Sequence, residues 1–203
     1  MLACLDLEGV LVPEIWIVFA KQTGIEKLRL TTRDIPDYDA LMRGRLKILD
    51  EHKLKLEDIQ KVIREIKPLE GAKDFLAWLK SEFQVIILSD TFYQFAGPLM
   101  AQLDYPALFC NELVAAGDGR ITDYRLRQAD GKTKAVAALQ SMNFQVIAAG
   151  DSYNDTGMLK QADAGIFFRP PESITKEFPQ FPVTHQYDEM KQAFLHARAK
   201  LAR

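Results

Sequence analysis

Four short runs rich in Val, Ile and Leu, each bounded by Gly, Asp or Ser, punctuate the chain: Leu2–Leu7, Val85–Leu88, Val146–Ala149 and Gly165–Phe168. Their length and content predict buried strands. Between them, apolar positions recur at helical spacing. Gly71–Phe83 sets Phe75, Leu76 and Leu79 on one side, and Phe92–Leu103, Thr133–Met142 and Asp155–Ala162 behave similarly. Such alternation predicts an α/β fold, a Rossmann-like parallel sheet with helices on both faces. Gly117-Asp118-Gly119, between Leu113–Ala116 and Arg120–Thr122, predicts a hairpin turn at a sheet edge.

Residues 13–68 follow a different pattern. They hold three helical patterns, near Glu14–Thr23, Asp37–Glu51 and Leu56–Ile66, and no strand-like run. This predicts a small helical-bundle cap over 13–68, inserted after the first strand of a core made of 1–12 and 69–203. Pro170–Pro182 is expected to be a Pro-rich surface loop, and Tyr187–Arg203 a final amphipathic helix. The Lys191, Arg198, Lys200 and Arg203 of that helix suit a solvated face whose cations favour the C-terminal end.

Composition narrows the function. With 203 residues, 48% hydrophobic, the chain can bury a core without staples. A net charge of −2 argues against a nucleic-acid binder held by phosphate contacts. Cys4 and Cys110 sit in apolar runs without metal-ligand spacing, as reduced core thiols do. The apolar start carries Asp6 and Glu8 at its centre and no basic flank, unlike a signal peptide. No apolar run approaches the ~20 residues of a membrane span. A cytoplasmic enzyme is expected.

The candidate chemistry lies at the strand ends. Leu2–Leu7 runs into Glu8-Gly9, Val85–Leu88 into Ser89-Asp90-Thr91, and Val146–Ala149 into Gly150-Asp151-Ser152-Tyr153-Asn154-Asp155. Singly, each Asp or Ser there is a turn or cap residue. Jointly they imply more, because ligands of open α/β sheets bind outside the carboxyl ends of the strands. If the three strands are neighbours, their carboxylates converge on one crevice and require a cation. Oxygen ligands without His or Cys point to Mg²⁺. Lys132, at the start of the helix before the Asp151 strand, opposes the helix dipole unless its amine faces an anion. A carboxylate nucleophile, Mg²⁺ and an anionic phosphoryl group fit together as phosphoryl transfer through an aspartyl-phosphate.

These motifs, in this order, resemble the haloacid dehalogenase superfamily of phosphotransferases. Asp6-Leu7-Glu8-Gly9-Val10 matches its first motif, Ser89 the second, Lys132 the third, and Gly150-Asp151 with Asn154-Asp155 the fourth. The helical insert, Glu14, Arg45 and the return through Ile66–Ala72 are similar to the phosphoserine phosphatase branch. Asp6–Glu14 and Ser89–Phe92 look like the variant of that branch that also transfers phosphate to homoserine.

The resemblance implies roles. Asp6 would be the nucleophile; Asp6, Asp151 and the backbone carbonyl of Glu8 would bind Mg²⁺. Ser89 and Lys132 would hold the phosphoryl oxygens, Asn154 would orient phosphate or substrate, and Asp155 would hold Lys132 or a water. Glu14 would pair with a substrate ammonium and Arg45 with its carboxylate, a fork-shaped match. Glu8 stands where the family has Asp as the general acid, adding one methylene, about 1.5 Å of reach. Asp90 replaces a small glycine and reshapes the pocket wall. The expected activity is cleavage of phosphoserine with transfer to water or homoserine. The alternatives are a phosphatase of another small phosphomonoester, or a phospho-accepting receiver domain, which would have no helical insert and no purpose for Glu8.

Overall fold

Residues 1–32, 34–35 and 37–202 are described by a computed structural model, and strands among them form a single sheet. The strands are β1 (Leu2–Leu5), β2 (Gln84–Phe92), β3 (Ala107–Ala115), β4 (Ile121–Arg125), β5 (Val146–Gly150), β6 (Ala164–Phe168) and β7 (Val183–Thr184). Their order is β4-β3-β2-β1-β5-β6-β7, parallel except for the β3–β4 pair. The chain winds outward from β1 through β2 to β4, then crosses back to β5 on the other side of β1. The carboxyl end of β1 is therefore a topological switch point, where such sheets bind ligands.

Period-two alternation divides the core between the two faces. Ala3 and Leu5 face one apolar cluster, which includes α4 (Ala72–Glu82), α5 (Tyr93–Gln102) and α9 (Tyr187–Leu201). Leu2 and Cys4 face the other, packed by α6 (Gly131–Ser141), α7 (Thr156–Gln161) and α8 (Glu172–Glu177). Both cysteines are free and buried, and burial pushes each thiol up to about 12.

Between β1 and α4 lie α1 (Ile15–Thr23), a 3₁₀ turn (Glu26–Arg29), α2 (Tyr38–Glu51) and α3 (Leu56–Glu65). Their apolar stripes, among them Phe19, Met42, Leu49, Ile59 and Ile63, join the same cluster as Ala3 and Leu5. Asp37 caps α2 by accepting from the Ala40 N–H at 2.9 Å.

Three local expectations differ from the structure. Pro170–Pro182 is no plain loop, since Glu172–Glu177 is helical behind Pro171, with buried Ile174 anchoring it. The hairpin is real, but its first arm begins at Ala107 and pairs parallel with β2 before it turns antiparallel to β4. Ala107–Cys110 has no Val or Ile to announce that strand. Finally, β1 stops at Leu5, because Asp6 turns its own carboxylate Oδ1 onto the Leu7 N–H at 2.7 Å. Arg203, counted in the basic end of the last helix, lies outside the described residues.

Candidate active site

The three motif-bearing strands are adjacent, β2-β1-β5, so their carboxyl ends open into one crevice. Each end leaves regular structure in its own way. After β1, a tight turn is closed by Gly9 N–H to the Val12 carbonyl (2.8 Å) and Leu11 N–H to the Leu7 carbonyl (2.8 Å). In β2 the register slips between Leu88 opposite Phe109 and Phe92 opposite Asn111. Four residues of β2 thus span two of β3, a bulge that re-aims Ser89, Asp90 and Thr91. After β5, the Asp155 Oδ2 accepts from the Asp151 and Ser152 N–H groups at 2.9 and 3.0 Å, folding the loop back.

Lys132 is the hub. Its buried Nζ lies 2.7 Å from Asp155 Oδ1, 2.9 Å from Asp6 Oδ1 and 3.6 Å from Asp90 Oδ2. Burial by itself would lower the ammonium, but Asp155, Asp6 and Asp90 more than reverse this and hold it well above the ordinary lysine range. Asp6 is pushed well up by burial and by Asp155 and Asp151, against the pull of Lys132. Carboxylate oxygens of Asp6, Asp151 and Asp155 lie within 4.8 Å of one another. One ammonium among crowded carboxylates leaves negative charge uncompensated, and the donors are oxygens alone. This is chemistry that fits Mg²⁺.

Close packing holds the cluster in place. Gly9 has φ +80°, and a Cβ there would lie 2.4 Å from Asp151 Oδ2; one on Gly150 would lie 2.4 Å from Asp155 Cγ. Both positions need glycine.

A cleft of about 350 Å³ runs from this cluster under α1 and α2, and Asp6, Ser89 and Lys132 line it together with Glu14 and Arg45. Glu8 also lines it, and its carboxylate accepts the Ile15 N–H at 2.8 Å. Loss of water and the Glu14 carboxylate push the Glu8 acid up to about 8, despite the Ile15 N–H, Arg45 and the Thr91 hydroxyl. Arg45 stacks 4.5 Å over the Trp16 ring and donates from Nη2 to the Leu30 carbonyl at 2.8 Å. Burial lowers its guanidinium to about 10.

All ten residues singled out in the sequence thus meet here, though not all in the arrangement expected. Asn154 donates to Asp90 Oδ2 at 2.8 Å, and its own carbonyl is held by the Ser152 hydroxyl. The acidic cluster contains the Asp155 carboxylate, which was expected only to hold Lys132 or a water. Trp16, Tyr38, Thr91 and Asn111 were not singled out. The half-buried Tyr38 hydroxyl and the Asn111 amide both donate to the Asp90 carbonyl, at 3.4 and 3.1 Å. Nothing in an isolated Trp, Tyr, Thr or Asn separates such a residue from an ordinary core or turn position.

Sheet, switch point and acidic cluster suit an enzyme of the phosphoryl-transfer class, and comparison with known proteins agrees. The haloacid dehalogenase-like hydrolase family matches residues 1–163. The chain belongs to that family of enzymes. A phosphoserine phosphatase of Pseudomonas syringae pv. tomato is 61% identical over 196 residues, 97% of this chain and 83% of that protein. Phosphoserine phosphatase ThrH of Pseudomonas aeruginosa is 59% identical over 199 residues, 98% of this chain and 97% of its own length. Among solved structures, a phosphoserine phosphatase in apo form matches with TM-score 0.73 at 25% identity, covering 90% of this chain and 91% of that one. A phospho-aspartyl intermediate analogue of phosphoserine phosphatase shares the fold, with TM-score 0.74 at 23% identity over 94% of this chain and 97% of that one. Membership of a hydrolase family leaves the receiver-domain alternative without support. Among the described residues no helix is long and apolar enough to cross a membrane.

Proposed function

We propose that this enzyme is a Mg²⁺-dependent phosphoserine phosphatase that can also pass the phosphoryl group to homoserine, acting in the cytoplasm. One observation carries the reading: Glu14 and Arg45 line the same cleft as Asp6, Ser89 and Lys132. A phosphomonoester with an amino-acid head has its phosphoryl group at one end and both head charges at the other. A substrate without that head would offer no partner to either of these charges. The names of the 61% and 59% identical relatives point the same way.

In this reading residues 13–68 are a cap over a core of 1–12 and 69–203. Lys132 and the Leu7 N–H both hold Asp6 Oδ1, which fixes the rotation of the carboxylate. Asp6 attacks phosphorus in line, and the seryl oxygen leaves with the proton of Glu8, whose raised pKa keeps it in the acid form at neutral pH. Ser89 and Lys132 hold the phosphoryl oxygens as charge builds. When bound by Asp6, Asp151 and the Glu8 backbone carbonyl, Mg²⁺ supplies further neutralisation of that charge. Glu8, now a carboxylate, takes the proton of a water or of the homoserine hydroxyl as that oxygen attacks phospho-Asp6. This step frees the Asp6 carboxylate. Homoserine presents the same head to Glu14 and Arg45, with its hydroxyl one methylene further out, within reach of the longer Glu8.

Phosphorus NMR of the enzyme with phosphoserine and Mg²⁺, run with and without homoserine, tests both halves. Serine and inorganic phosphate should form alone, and O-phosphohomoserine should form at the expense of phosphate when homoserine is added. Unconsumed phosphoserine would refute the substrate. Stoichiometric phosphate in the presence of homoserine would make the enzyme a plain phosphatase.

A further inference from the structure

Asp90 carries negative charge into the part of the cleft assigned to the phosphoryl group. Its Oδ2 accepts from Asn154 Nδ2 at 2.8 Å and lies 3.6 Å from Lys132 Nζ. These are two donors that a phosphoryl oxygen would use. The Asp90 backbone is anchored, because its carbonyl accepts from Asn111 and Tyr38. Its side chain is 43% exposed. Beside it opens a second, outer cleft of about 890 Å³, whose lining includes Asp90, Lys132 and Asn154 together with the hydrogen-bonding side chains of Asn111, Gln128 and Ser173. Asp90 therefore stands on the divide between two clefts, with a fixed backbone and a side chain that has room to turn.

We propose that the Asp90 carboxylate is an internal competitor for the phosphoryl cradle. With no phosphate bound, it occupies Asn154 and Lys132. When a phosphoryl group arrives, it turns toward the outer cleft, and its return displaces free inorganic phosphate. The proposal rests on Asp6, Ser89 and Lys132 forming the phosphoryl site. Electrostatics favour it, since the Lys132 ammonium already serves Asp6 and Asp155 at 2.9 and 2.7 Å. A free phosphate anion must share that one cation with three carboxylates. A phosphoryl group bonded to Asp6 cannot be displaced in this way, so the competition falls on phosphate groups held without a covalent bond, in substrate and product alike, and spares the intermediate awaiting its acceptor.

The test is calorimetric titration of inorganic phosphate, with Mg²⁺ present, into the wild-type enzyme, Asp90→Asn and Asp90→Ala, each checked for folding by thermal melting. Both variants should bind phosphate about tenfold more tightly, the scale of one charge-assisted hydrogen bond that no longer has to be displaced. Phosphate should inhibit their turnover at correspondingly lower concentration. Were Asp90 only a support for Asn154, Asp90→Asn would keep an acceptor and leave affinity unchanged, while Asp90→Ala would weaken it. Either result, or no phosphate binding in any of the three, overturns the proposal. The titration needs no phosphoserine. Tighter phosphate binding in variants of an enzyme that ignores phosphoserine would sustain the competitor and sink the substrate; turnover of phosphoserine with unmoved phosphate affinity would do the reverse.

Discussion

Arg45 is the residue on which substrate choice turns in this account. It is buried, stacked on Trp16 and held at Nη2 by a backbone carbonyl, while its Nε has no hydrogen-bond partner among the described residues. A buried cation with an unused donor gains from a substrate carboxylate. Arg45→Ala should therefore lower kcat/KM for phosphoserine by about 1.5–3 kcal/mol, the range for a charged hydrogen-bond partner. Phosphoethanolamine, which lacks the carboxylate, should scarcely register the change; steady-state kinetics showing equal losses for both would count against a carboxylate clamp. At this scale the sequence was informative wherever a polar residue ended an apolar strand, as Asp6, Ser89 and Asp151 do. It was silent about Trp16, Thr91 and Asn111, which act through contacts between elements distant in the chain. Asp90 was readable as a wall of the pocket, but its hold on Asn154 comes from the packing of β2 against the loop after β5.

At the scale of elements, the turn after β1 sets the spacing of the acidic cluster. Gly9 supplies a left-handed φ of +80° and the room for Asp151. Gly9→Ala would place a methyl group 2.4 Å from Asp151 Oδ2 in a conformation that alanine disfavours, so turn and carboxylate must both shift. The expected loss is about 1–3 kcal/mol of stability in urea unfolding, with weaker Mg²⁺ binding in a metal titration. A variant with wild-type stability and wild-type Mg²⁺ affinity would show that the turn does not shape the site. Helix and strand types were legible because buried strands stand out as short continuous apolar runs, whereas the helices repeat their apolar positions at a spacing of 3.6. Their ends were less so: β2 runs on to Phe92 through a bulge that no periodicity announces, and α8 hides behind Pro170-Pro171.

At the scale of the molecule, the helices between β1 and β2 share one apolar cluster with a face of the sheet. Phe75 is fully buried in that cluster, stacked on Tyr187 with ring centroids 5.1 Å apart. Tyr187 in turn donates to the Val10 carbonyl at 2.7 Å, just after the Gly9 turn. Phe75→Ala should cost about 3–5 kcal/mol in urea unfolding. Because the cluster is continuous, fluorescence and circular dichroism should lose structure in one coincident transition; separate transitions would mean the helices unfold on their own. The alternation of strands and helices made the fold class legible, whereas the order β2-β1-β5, on which the convergence of the motifs depends, is decided by long-range pairing. The central claim is that phosphoryl transfer passes through Asp6, and one measurement tests it most directly. The enzyme is mixed with phosphoserine and Mg²⁺, quenched in acid within a single turnover, and its peptides are read by mass spectrometry. The phosphate should sit on Asp6 and vanish in Asp6→Asn; phosphate on another residue, or product formed with no phosphorylated peptide at any time, would contradict the account.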